Sequence, residues 1–188
     1  MLTGAVFLMV VLMIVLAPVD ESGQEAPLLA EQRAKAVAGD PVARFKLAGF
    51  YARGEGVTQD LVEAAKWLTL SAEQGYARAQ CYLGLSYAKG EGVPKDQTQA
   101  LDWFRKSAAH GFPDALNHLG YCHSQGRGLP KDEAEAYACW SIAARSHEGA
   151  ARNLELLEKK ISDQNRLRGG VRRDELLRQI EATKSKGS

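Results

Sequence analysis

Two groups of side chains in this sequence have the types and spacing that chemistry would need. Cys122 lies four residues after His118 and directly before His123. Residues four apart share one face of a helix, as two ligands of a zinc ion would. His123 would point elsewhere on that helix, so further ligands would have to come from His110, Cys139 or His147. Two ligands alone make a poor zinc site, and packing is the expected role, with no metal. The second group is a set of carboxylates, Asp60, Asp96 and Asp132, each followed three residues later by Glu63, Gln99 or Glu135. This spacing approximates a helix capping box, which gives the aspartates structural rather than catalytic work. Cys81, Cys122 and Cys139 are odd in number and lack CxxC spacing, so each is expected as a free thiol packed like a small hydrophobe. Ser-His-Asp sets, GxSxG, HExxH and phosphate-loop patterns are absent, and neither an enzyme activity nor a cofactor is expected.

The carboxylates recur because the chain itself recurs. Shifted by 36 residues, it matches itself in three copies, Gly39 to Gln74, Gly75 to His110 and Gly111 to Ser146. Identical or near-identical positions include Ala43/Ala79/Ala115, Leu47/Leu83/Leu119, Gly54/Gly90/Gly126, Gly56/Gly92/Gly128 and Ala64/Ala100/Ala136. Each copy reads as helix, tight turn, helix. Ala43, Leu47, Ala48 and Tyr51 fall at spacings of three and four and form an apolar stripe. Asp40-Pro41 is a start signal, and Gly54, Gly90 and Gly126 sit where the first helix must end in a left-handed residue. In the second helix, bulk at Trp67-Leu68, Trp103-Phe104 and Cys139-Trp140 alternates with small alanines, so a neighbouring helix can approach closely.

The stretches LAGFYARGEGVTQDLVEAAKWLTLSAEQG and LGLSYAKGEGVPKDQTQALDWFRKSAAHG resemble Sel1-like repeats, relatives of tetratricopeptide repeats. The third copy departs at His123, where the family has Tyr, and at Cys139, where it has Trp, in the manner of a terminal repeat. The resemblance runs from about Leu28 to Leu157. It implies an all-α fold, a right-handed superhelical solenoid of α/α hairpins whose groove binds peptides or other proteins. Hairpins of this size must stack to bury their stripes. Cysteine-rich relatives have been discussed as cell-wall hydrolases or β-lactam-binding proteins, but their regular cysteine pair per repeat is missing here. A third reading is a self-associating scaffold.

Around the repeats, residues 28–38 read as an N-terminal capping helix and 147–168 as a C-terminal one. Gly169-Gly170 reads as a break, with a short basic amphipathic helix and a flexible tail filling 169–188. Ala5 to Ala17 is an unbroken apolar run within residues 1–19 that carry no charge, followed by a linker at 20–27. Two readings fit, a cleaved signal peptide and a retained membrane anchor, and both export the rest of the chain. Of the overall net charge of +1, about −3 falls in the first 27 residues, zero in 28–151 and +4 beyond. That neutral middle excludes the concentrated basic face a nucleic-acid partner requires.

Partner recognition is expected at first-helix positions that vary between copies, because repeated positions build the core. The partner is expected to be a protein or peptide, with Arg44, Tyr51, Gln80, Tyr87 and Asn117 contributing to its capture.

Overall fold

The computed structural model describes residues 27–186, so the apolar run at 1–19 and most of the linker lie outside the described residues. The described residues form helices α1 (Pro27–Val37), α2 (Pro41–Arg53), α3 (Leu61–Glu73), α4 (Ala77–Lys89), α5 (Gln97–Ala109), α6 (Pro113–Gln125), α7 (Glu133–Ala143), α8 (Glu148–Glu158) and α9 (Asp163–Lys186). Pairs α2–α3, α4–α5 and α6–α7 are the three repeated hairpins, stacked in chain order behind α1. None of these helices is long and apolar enough to cross a membrane.

The expected helix ends are present. Asp60 accepts from the Glu63 amide at 2.9 Å, Asp96 from Thr98 and Gln99 at 2.8 and 3.0 Å, and Asp132 from Ala134 and Glu135 at 2.9 and 3.2 Å. Only half of a capping box forms, however. The cap residues' own amides donate to the carbonyls of Tyr51, Tyr87 and His123, each at 2.9 Å, instead of to the Glu or Gln side chain. That bond ties the start of each second helix to the end of the first, closing the hairpin through main chain. Gly54, Gly90 and Gly126 end the first helices at φ 69, 82 and 68°.

The second glycine of the second and third loops has a separate reason. A Cβ on Gly92 would stand 1.9 Å from the Leu61 carbonyl oxygen, and one on Gly128 would stand 2.6 Å from Gln97 Cγ and 2.9 Å from Leu101 Cδ1. The loops of the second and third hairpins therefore rest on the second helix of the hairpin before, and in the first joint backbone meets backbone. Fully buried Ser71 and Ser107 complete the second helices by donating to the carbonyls of Pro41 at 2.6 Å and Ala77 at 2.7 Å. Leu29, Leu47, Leu83 and Leu116 are almost wholly removed from solvent, each stabilising by about 1.5–3 kcal/mol.

The C-terminal region differs from expectation. Helix α9 runs unbroken through Gly169-Gly170 to Lys186 and packs mainly along α7, with lesser contact to α5. Gly169 is buried, and a Cβ there would meet the Tyr137 ring at 2.8 Å and the Ala134 carbonyl at 2.9 Å. The glycine permits two helices to touch, and this close packing offsets the roughly 1 kcal/mol that glycine costs a helix interior. The arginines on either side of these glycines are engaged: Arg168 pairs with Asp132 at 2.7 Å and Arg172 with Glu135 at 3.0 Å. Leu176 and Ile180 carry the apolar contact, and Ile180 is 5% exposed. The expected single capping helix over 147–168 is thus α8 plus the first residues of α9. Helix α8 holds the first-helix place after α7, with the Asn153 amide donating to the Asn117 side-chain oxygen 36 residues earlier at 3.1 Å.

Candidate functional site

The first helices share one recurring register that borders the hairpin junctions: Lys46/Tyr82/His118 and Gly49/Leu85/Tyr121, with Arg53 and Lys89 one turn on. These positions line two cavities, one at each hairpin junction. The first, about 540 Å³, lies between α2 and α4 and is walled by Phe45, Arg53, Arg78 and Tyr82 over Leu68. Phe45 packs edge-on against Tyr76 at 5.5 Å and Tyr82 at 5.4 Å, and the Arg78 guanidinium lies 6.0 Å from its ring centre. Tyr82 remains 45% exposed. Arg53 is held by Glu55 at 2.5 Å.

The second cavity, about 610 Å³, lies between α4 and α6 and is walled by Leu85, Lys89, Lys95, Phe104, His118 and Tyr121. His118 stacks on Phe104 with ring centres 5.0 Å apart and planes 18° apart. Burial pushes the His118 pKa below its ordinary value, against the opposing pull of Asp114, so its imidazole is neutral and offers an apolar face. Tyr121 is 39% exposed and carries the Arg127 guanidinium 4.9 Å above its ring. Cys122 at the cavity floor receives Gln97 Nε2 at 3.9 Å.

The residues weighed for metal separate in space. His118 faces this second cavity, whereas His123 faces a smaller one of about 230 Å³ on the opposite side of α6, with Arg105, Glu135, Cys139 and Arg172. His147 Nε2 lies 3.6 Å from Asp114. Among the described residues no three His, Cys, Asp or Glu side chains come close enough together to hold a metal ion. Burial pushes the thiols of Cys81 and Cys139 up to about 12 and raises that of Cys122 as well, so all three are protonated and suited to packing.

None of the five residues expected to read a partner lines either cavity. Gln80 is buried and its amide donates to the Ala72 carbonyl at 3.1 Å; 36 residues earlier Arg44 Nε donates to the Ala36 carbonyl at 3.0 Å. The two make one joint contact in two chemistries, and Leu116 fills the third copy apolarly. The expectation that varying positions face solvent fails here, because a joint between hairpins tolerates any side chain that satisfies the neighbouring helix end. Tyr51 accepts from Arg33 at 2.9 Å, Tyr87 is half-buried between two hairpins, and Asn117 is bonded to Asn153. First-helix residues that do line the cavities, Phe45, Lys46, Arg53, Tyr82, Leu85, Lys89 and His118, sit one or two positions from these five, and Tyr121 lies one turn beyond His118.

The chain matches the model of the Sel1 repeat over residues 41–76, 77–112 and 113–147. No curated protein sequence matches it. Among solved structures it resembles a Sel1 repeat protein from Oxalobacter formigenes, at 37% identity and TM-score 0.63, covering 69% of this chain and 98% of that one. It also resembles a protective antigen of uropathogenic Escherichia coli strains that displays an SLR fold, at 37% identity and TM-score 0.63 over 65% of this chain; it spans only 26% of that antigen's length. Cysteine rich protein B of Helicobacter pylori shares the fold at 21% identity and TM-score 0.53, covering 65% of this chain and 92% of that one. Sel1 repeat proteins are generally non-enzymatic scaffolds for protein interaction. With three consecutive matched copies on an all-α solenoid of hairpins, the chain belongs to the Sel1 repeat family.

Proposed function

We propose that the protein is an adaptor that captures a segment of another protein along the first-helix face. The observation that carries this reading is the pair of aromatic-walled cavities in one register, a hairpin apart, with Tyr82 and Tyr121 partly exposed. Large rigid rings offer contact area at little entropic cost, as anchoring pockets of interfaces do. Arg44, Gln80 and Asn117 support capture by setting the joints, and Tyr51 and Tyr87 by fixing the loop that closes each hairpin. The uncharged apolar run at 1–19 supports export to the envelope, either with cleavage or with retention as an anchor. Photo-crosslinkers placed at Tyr82 and Tyr121 test the assignment in cells. Foreign adducts at these positions and none at exposed Lys66 on the second-helix face are expected. Adducts formed only with copies of this chain would replace an adaptor by a self-assembling scaffold.

A further inference from the structure

The two cavities share an architecture and both carry cations, but Glu55 lines the first and no carboxylate lines the second. In the first two copies the loop cation is matched two residues later by a carboxylate, Arg53 by Glu55 at 2.5 Å and Lys89 by Glu91 at 3.5 Å. The third copy reverses this pattern, with uncharged Gln125 where the cation stood and Arg127 where the carboxylate stood. Lys95, in the loop before α5, is a further cation at the same mouth; in the third copy its counterpart Lys131 lies 3.8 Å from Glu133. Among the described residues neither Lys95 nor Arg127 has a carboxylate partner, and both are exposed. No carboxylate lines the second cavity, whose floor is the stacked pair Phe104 and His118.

Resting on the adaptor reading, we propose that the cavity between α4 and α6 selects an acidic segment of the partner chain. Carboxylates of that segment meet Lys95 and Arg127, while an intervening apolar or aromatic side chain seats against Phe104, His118 and Tyr121. Two uncompensated cations around an apolar floor fit alternating acidic and apolar residues, and a like-charged segment is repelled. The first cavity carries Lys46 and Arg78 as well, but Glu55 at its mouth already neutralises Arg53 and repels an acidic residue there, so its preference is the weaker.

Fluorescence anisotropy with the full chain tests this, using three labelled twelve-residue peptides that share two Phe and two Leu and differ only in carrying Glu, Gln or Lys at the remaining positions. The Glu peptide is expected to bind about tenfold more tightly than the Gln peptide, with the gap closing as salt shortens the screening length below about 8 Å. The double variant Lys95→Glu, Arg127→Glu should remove that preference and favour the Lys peptide; both side chains are exposed, so its melting curve should match that of the parent. Equal binding of the Glu and Gln peptides, both weakened by Tyr121→Ala, overturns the charge preference and leaves the adaptor reading standing. Binding indifferent to Tyr121→Ala and to charge reversal overturns the site. Displacement of the Glu peptide by a uridine oligonucleotide overturns the assignment to an acidic protein segment.

Discussion

The first two hairpins and the third are built on one skeleton yet completed differently. Hairpins one and two finish their second helices with a buried serine that donates to the previous helix, Ser71 to Pro41 and Ser107 to Ala77. In the third hairpin that position is Ala143, and the indole of Trp140 instead donates to the Asn117 carbonyl at 3.2 Å. The outer face of α7 is then covered by α9, whereas α3 and α5 lack such a continuous cover. A repeat in the middle of the stack is stabilised by its neighbours on both sides; a terminal one must find its second neighbour elsewhere.

The joint between the first two hairpins should be the least forgiving place. Gly92→Ala adds a Cβ 1.9 Å from a carbonyl oxygen at φ 74°, and is expected to lower stability by about 4 kcal/mol in urea titrations. Deleting residues beyond Ser162 tests the other side of the comparison. It removes the burial of Ile180 and Leu176 and the pairs at Asp132 and Glu135, with a cost of about 3 kcal/mol. Hydrogen exchange should then quicken in α6 and α7 before α2 and α3; uniform quickening would mean the stack melts as one body and the comparison fails. A finer probe is the adjacent pair of glycines. Gly169→Ala, against Tyr137, should destabilise by about 1–2 kcal/mol, whereas Gly170→Ala, with nothing within 4 Å, should stabilise by up to about 1 kcal/mol.

The smallest effect is that of pH. Burial lowers the pKa of both His118 and His123 below the ordinary 6.5, so the unfolded chain binds protons that the folded one does not. The contribution is present above about 6.5 and is lost as pH falls below it. Thermal melts between pH 8 and about 5 should show the midpoint falling at the acid end, and His118→Gln with His123→Gln should flatten that fall.

How far the sequence discloses all this depends on the range of the interaction. Caps, helix ends and the hairpin itself are local, and Asp60, Gly54 and their copies announce them within a few residues. The joints are not local. Gln80 varies from Arg44 and Leu116 as a surface residue would, yet it lies buried against a helix end that only stacking brings near. Gly169-Gly170 carries the composition of a break, and only the ring of Tyr137, more than thirty residues earlier, turns it into a seat.

Gly92 resting on the Leu61 carbonyl has one more consequence. Where main chain abuts main chain, the step from one hairpin to the next is held by atoms that most substitutions leave unchanged. On the adaptor reading, the interval between the first two hairpins is then a ruler: side chains at 45, 46, 82 and 85 can change to suit another partner while the distance between these helices stays the same. Specificity can evolve in such a protein without re-measuring the partner.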